Sequence, residues 1–341
     1  MAHELYCDAN GNYSFAWAAG SAVPWHGLGQ VVPKGANHEK WLKLAGYLWE
    51  VRQAPVQYEA TLDGKKKPTV AESSAHLVNY RSDTGAPLGV VSDTYKIVQP
   101  KDIFEALWGW AEAGGLKPES AGVLRGGRRF FVLAKNGGTV EIKKGDKTQS
   151  YCLLATSADG TIATRAQWTA VRVVCANTLN LATGNGKGKA EYKCSHRSTW
   201  NPDEAAKALG VEQARIEWDE FAAKLTGLAA KKVSSADAAA FFSDVLRPPK
   251  DDDRIVYDLP KPRELEKVRA IRGLDELEAS YRHAPGAVPG TWYGAVQGVT
   301  HYVDHARGKD VGLRMDSALF AQGADLKRRA FEDACQRAGV N

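Results

Sequence analysis

The chain has 341 residues, 44% apolar and 25% charged, ordinary values for a globular protein of two domains or of one with large additions. Its 45 Lys and Arg against 40 Asp and Glu give only +5, so bulk charge alone assigns no partner. Five scattered cysteines (Cys7, Cys152, Cys175, Cys194, Cys335) with no CxxC argue against a disulfide scaffold and for a reducing cytosol. No apolar run approaches the roughly 18 residues of a membrane span, and the N-terminal sequence MAHELYCDANGNYSFAW shows no basic-then-apolar leader.

In chain order, residues 1–35 have little periodicity and many aromatics. VPWHGLG (Val23 to Gly29) reads as a turn in which Pro24 fixes one bend and Gly27 and Gly29 permit positive φ; His26 there is a turn residue. Asn37 to Tyr47 predicts a short helix with Trp41, Leu42 and Leu44 inward. LWEVRQAPVQYEA alternates as a strand, Asp63-Gly64 marks a hairpin tip, and two further strands flank Asp83-Thr84-Gly85. Pro100 opens a helix with Asp102 in its first turn, Ile103, Phe104, Leu107, Trp108 and Ala111 recur at helical spacing, and Gly114-Gly115 ends it. Trp108 and Trp110 read as core.

The stretch from Arg125 to Trp200 carries thirteen Lys and Arg against four acids, a net +9 that leaves the rest of the chain at −4. Turn signals at Asn136-Gly137-Gly138, Gly145-Asp146 and Asp159-Gly160 break it into β-type runs. Arg128, Arg129, Phe130 and Phe131 set two cations beside two rings, an arrangement able to grip phosphates and stack bases. Arg165, Gln167 and Thr169 share one face of the next strand, with Arg172 continuing it and Trp168 on the other side. At Val171 the alternation gives way to VRVVCANTLNLA, a buried strand end or the start of a helix. Gly184 to Trp200 is Gly- and Lys-rich, a loop suited to a polyanion. It is not a P-loop, and no GxGxxG motif occurs in strand–turn–helix context.

From Asn201 the chain turns helical: Asn201 as cap with Pro202 at the first position, Ser235 as a second cap, a Pro-rich connector at RPPKDDDRIVYDLPKP, and helices at 263–280, 291–306 and 316–337. The fold class expected is α+β: an antiparallel sheet with basic hairpins packed on helices, then a mainly helical C-terminal third. The expected divisions are 1–99, 100–200 and 201–341. His301 and His305 lie four apart with Asp304 between them, and a metal there would need a distant ligand such as Cys194 or His196; HExxH is absent. The acidic run Asp251, Asp252 and Asp253 reads as a charged connector.

Five motifs together carry a resemblance: VPWHGLG, GVVSDTYKIVQ (Gly89 to Gln99), TRAQWTAVRVVCANTLNLA (Thr164 to Ala182), KCSHRST (Lys193 to Thr199) and WYGAVQGVTHYVDH (Trp292 to His305). In this order they resemble the uncharacterised phage/plasmid-like protein family, which implies a mobile-element protein that meets single-stranded DNA. The coarse order of a helix at 101–113, strands from about 122 to 170 and a helix after 171 is similar to the core of single-strand annealing proteins of the Red-beta, RecT and Erf type.

The function expected is single-stranded DNA binding and annealing, with no catalytic residue and no cofactor. Arg125, Arg128, Arg129, Lys143, Lys144, Lys147, Arg165, Arg172, Lys187, Lys189, Lys193 and Arg197 would neutralise phosphates, and Phe130, Phe131 or Trp168 would stack bases. The partners expected are single-stranded DNA, further copies of the chain in a ring or filament, and a phage exonuclease or single-strand binding protein, with no membrane. The rival readings are an anti-restriction factor acting by protein binding, and a metal-dependent nuclease built on His301, His305 and the three aspartates.

Overall fold

The computed structural model describes residues 5–8, 10–21, 28–63, 67–172, 177–180, 191–247, 271, 273–308, 314, 317–318 and 322–340, with backbone alone at 172, 177–180 and 211–217. The α+β class and the helical last third are as expected. Contacts group the chain into two interleaved units, one of residues 1–138, 150–169 and 183–216, the other of 139–149, 170–182 and 217–341. The linear division at 99/100 and 200/201 therefore does not coincide with the packing, because long strands pass from one unit into the other.

The first unit contains β1 (Phe15–Ala18), β2 (Gln30–Val32), α1 (His38–Ala45), β3 (Val51–Ala60), β4 (Thr69–Arg81), β5 (Pro87–Ser92), α2 (Pro100–Gly114) and β6 (Lys117–Leu124). It shares β7 (Arg129–Lys143), β8 (Asp146–Ser157) and β9 (Thr164–Arg172) with the second unit, which also holds β10 (Asn177–Asn180). β11 (Glu191–Cys194) and α3 (Pro202–Leu209) complete the first unit. The larger sheet runs β10-β9-β8-β7-β6-β1-β2, with β11 also on β9; β3, β4 and β5 form a separate antiparallel sheet. β1 pairs parallel with β2, while β1–β6, β6–β7 and β9–β11 are antiparallel.

Local signals explain the helix limits. Asn37 caps α1 by accepting the Lys40 N–H at 3.0 Å, and Gly46 closes it at φ 74°. Gln99 and Asp102 form a capping box on α2 with Pro100 at its first turn. Asn201 accepts from Asp203 and Glu204 at the start of α3, as expected. Tyr47, fully buried, turns its hydroxyl between the carbonyls of Gly122 (3.0 Å) and Phe131 (2.6 Å), which are cross-strand partners on β6 and β7.

Two expectations about the sheet fail. Asn136-Gly137-Gly138 does not reverse the chain: Gly137 takes φ 85°, Asn136 Oδ1 accepts the Gly138 N–H at 2.9 Å, and β7 continues through them. The chain passes from the first unit to the second at this point. After 171 the chain remains a strand to Arg172, and the next described segment is the strand β10, not a helix; the annealing-protein order of elements is therefore not reproduced.

The second unit is helical: α4 (Val211–Ala230, from 217 onward), α5 (Ser235–Leu246), α6 (Leu274–His283), α7 (Trp292–His301) and α8 (Gln322–Ala338). Ser234, not Ser235, caps α5, accepting the Asp237 N–H at 3.0 Å. Trp218, Phe221, Phe241, Phe242, Trp292, Tyr293 and Phe331 fill its core. α6 and α7 meet at Gly298, where a Cβ would fall 2.8 Å from Tyr281 Cβ. α7 runs on as a π turn, Tyr302–Ala306. Among the described residues no helix is long and apolar enough to cross a membrane.

Candidate nucleic-acid interface

In the first unit the exposed Arg128, Lys96 and Lys193 sit on segments tied to one turn, residues 158–163 between β8 and β9, or to the strand that leaves it. Asp159 Oδ1 accepts from the Thr161 N–H at 3.0 Å and from its hydroxyl. Thr161 Oγ1 in turn accepts from Arg129 Nε at 3.1 Å and Nη2 at 2.8 Å. Ala158 N–H donates to the Arg128 carbonyl at 2.7 Å, and the Ala158 carbonyl accepts from Asn79 Nδ2 at 2.6 Å. Strand alternation then separates neighbours: Arg129 is buried against the turn, while Arg128 is exposed beside it.

The other side of the turn is held by His196. Its ring stacks on Tyr95 with centroids 4.4 Å apart and planes 15° apart. Its Nε2 lies 3.0 Å from the Ile162 carbonyl and its Nδ1 lies 3.1 Å from the Lys96 carbonyl. The Lys96 N–H donates to the His196 carbonyl at 2.6 Å, and Lys96 Nζ donates to Thr199 Oγ1 at 2.8 Å. The exposed Arg197 follows His196 directly in the chain. Burial pushes the Tyr95 phenol well above its ordinary value, and its hydroxyl donates to the Ser157 carbonyl at 2.7 Å. Tyr95 and His196 belong to the GVVSDTYKIVQ and KCSHRST motifs, far apart in sequence, and the fold brings them into contact.

β11 adds Lys193, exposed and directly opposite Arg165 on β9. Arg165 is mostly covered and lies 3.9 Å from Glu191. The face it shares with Gln167 and Thr169 is buried at both, so among its described side chains β9 offers one partly covered cation and no continuous basic stripe. Arg125 sits in the β6–β7 turn at φ 54°, the one described non-glycine residue with positive φ, and is half-buried.

The hairpin tip between β7 and β8 belongs to the second unit. Lys143 and Lys144 are exposed there, and Lys147 lies 3.9 Å from Glu141, whose Oε1 accepts the Gly145 N–H. Asp146 is buried and accepts from the Tyr293 hydroxyl at 3.3 Å. The expected basic set is thus divided: Arg125, Arg128, Arg129, Arg165, Lys193 and Arg197 fall in the first unit, Lys143, Lys144 and Lys147 in the second. Lys187 and Lys189, and the side chain of Arg172, lie outside the described residues, as do His26, Cys175 and the run Asp251 to Asp253.

The stacking residues are a correction. Phe130 meets Trp49 at 5.5 Å and Tyr47 at 6.3 Å, Phe131 meets Phe15 at 6.1 Å on the other face of β7, and all three expected rings are core. Trp168 spends its Nε1–H on the Leu209 carbonyl at 3.0 Å. A central strand covered on both faces reads as a continuous apolar run, and RFFVLA is one. Arg129 is likewise no phosphate ligand, because its guanidinium is buried on Thr161. Trp110 is core and Trp108 half-buried, donating to Glu112 at 2.7 Å.

In the second unit the His301 and His305 rings lie 4.7 Å apart, and His301 Nδ1 is 3.1 Å from Ser280 Oγ. Asp304 accepts from Lys327 Nζ at 2.6 Å. Cys194 is turned to the carbonyls of Ser195, Ser198 and Thr199, and His196 to those of Lys96 and Ile162, all within the first unit. Among the described residues no three His, Cys, Asp or Glu side chains converge as a metal site.

Sequence reasoning missed Lys96 and Tyr95. Their signal was present in SDTYK, since an aromatic and a cation side by side in a short loop suit both stacking and surface charge. The chain matches the domain of unknown function DUF932 over residues 87–331, most of its length, and belongs to that family. The matched span contains four of the five motifs and excludes VPWHGLG. No curated protein and no solved structure matches the chain.

Proposed function

We propose that this protein binds single-stranded DNA by its phosphates and serves strand annealing for a phage or another mobile element. It would act in the host cytoplasm as a self-associated ring or filament, with no nucleotide hydrolysis. One observation supports the reading: Arg128, Lys193 and Arg197, with Lys96, are exposed on segments that bond to the turn at 158–163 or flank it, and none of the four has an acidic partner among the described residues. The buried rings of Phe130, Phe131 and Trp168 argue for backbone contact over base stacking. Backbone contact suits annealing, which needs bases left outward for pairing.

Lys143 and Lys144 supply a second exposed group. The four cations of the first unit, each releasing about 0.7 counterion on a single strand, give a log–log salt slope of about −3. Affinity for a labelled oligo(dT) should then fall by roughly fiftyfold between 50 and 200 mM salt. The triple variant R128E/K193E/R197E should abolish that binding and keep the thermal transition. Salt-independent binding, or undiminished binding by a folded triple variant, would refute the proposal; micrographs with and without oligonucleotide test the ring or filament.

A further inference from the structure

The geometry points to a second anion site, a nucleotide-sized phosphate cleft inside the helical unit, independent of the reading above. A cavity of about 740 Å³ opens between the end of α5, the π turn after α7 and the start of α8. Among the described residues four arginines line it, Arg247, Arg307, Arg328 and Arg329, against one acidic residue, Asp325. Helical third and basic partner were not connected in the sequence, because these arginines are spread over eighty residues and balanced by acids in every helix.

The four are not equivalent. Arg247 lies 3.4 Å from Asp244, and Arg328 pairs with Glu332 at 3.2 Å and Asp325 at 3.6 Å. Arg307 and Arg329 have no acidic partner among the described residues. Arg307 Nη1 is closed off from solvent and lacks any hydrogen-bond partner. A buried N–H on a charged group, left unpaired among three like charges, is costly, and a bound anion is what removes the cost. Guanidinium forks match phosphate oxygens bidentately, which makes phosphate the natural anion.

The backbone bearing Arg307 is held in place for this. Arg314 donates from Nε to the Arg307 carbonyl at 2.8 Å, from Nη1 to His305 at 2.6 Å and from Nη2 to Gly308 at 2.7 Å. The clamp covers the carbonyls at the end of the π turn, and π turns recur at functional sites. The same cavity is also lined by Val245, Leu246, Tyr302 and Leu326. Its volume is that of a small-molecule site and far exceeds one phosphate ion. A phosphorylated ligand with an apolar body, such as a nucleoside diphosphate, suits both kinds of lining.

The test is calorimetric titration of the full-length protein with ADP, pyrophosphate and inorganic phosphate. ADP should bind saturably at one site per chain, more tightly than pyrophosphate, and pyrophosphate more tightly than phosphate. R307Q and, separately, the half-buried R329Q should each weaken ADP at least tenfold; R329Q keeps the test open if R307Q fails to fold. Absence of saturable ADP binding, or binding unchanged in a folded R329Q protein, would overturn the site. Competition with oligo(dT) separates the two sources of phosphate. If ADP and the oligonucleotide bind together, the cleft is a small-ligand site. If they exclude each other and R329Q weakens both equally, the cleft is part of a DNA path and the nucleotide assignment falls.

Discussion

Replacing Asp304 with Ala removes the carboxylate that pairs with the buried Lys327 ammonium in the helical core. Lys327 is 1% exposed, the Asp304 side chain 7%, and the two meet at 2.6 Å. Burial is the largest influence on Lys327 and drives its pKa down; the Asp304 charge and hydrogen bond work the other way. D304A removes the opposing influence and keeps the burial, so the cost should be that of breaking a buried pair, about 3–5 kcal/mol. K327M should cost a similar amount by taking the ammonium away from the buried carboxylate. The double variant K327M/D304L buries two apolar side chains of similar bulk and should recover most of the loss, within about 1 kcal/mol of the parent. Native-state hydrogen exchange at α7 and α8 reads the stability of the helical unit by itself. In D304A the free energy should also rise with pH between the depressed folded value of Lys327 and the ordinary lysine value, because the unfolded lysine binds the proton more readily there. A D304A loss below about 1 kcal/mol, or a double variant as unstable as the singles, would refute the reasoning.

Three further outcomes follow from the first unit. Arg81 is buried with its guanidinium 4.3 Å from the Tyr6 ring and 4.0 Å from that of Trp49, and it grips Asp83 at 2.9 and 2.7 Å; R81A should lower the melting temperature by an amount worth about 2–4 kcal/mol. The Arg81 hydrogen bond holds the Asp83 carboxyl below the usual carboxylate range, so its contribution is complete above about pH 4 and disappears as pH falls through the lowered value. D83N should flatten that acid branch in pH-dependent melting while costing less than about 1 kcal/mol at neutral pH, since Asp83 is partly solvated. A thiol reagent at pH 8 should label the exposed Cys7 at once and reach Cys152, whose thiol burial pushes up to about 12, only on unfolding; mass spectrometry of peptides from a timed quench checks the order.

What the residues by themselves determined is local. Asn37, Pro100 with Asp102, Asn201 and Thr291 set helix starts because capping depends on the few residues around each backbone N–H. The turns at Gly145 and Gly160 follow from glycine's access to positive φ. The high positive charge between residues 125 and 200 is likewise a matter of counting. The tertiary structure decided which of those charges face solvent. Arg128 and Arg129 are adjacent and chemically identical, yet one is exposed and the other is buried on Thr161, because the β8–β9 turn packs on one side of β7 only. Phe130 and Phe131 looked like a stacking pair for the same reason: period-two alternation assigns them to opposite faces, and no sequence window shows that both faces are covered. Tyr95 and His196, a hundred residues apart, met only when the sheet was assembled. Side-chain direction is local physics; what lies in that direction is set by the rest of the chain.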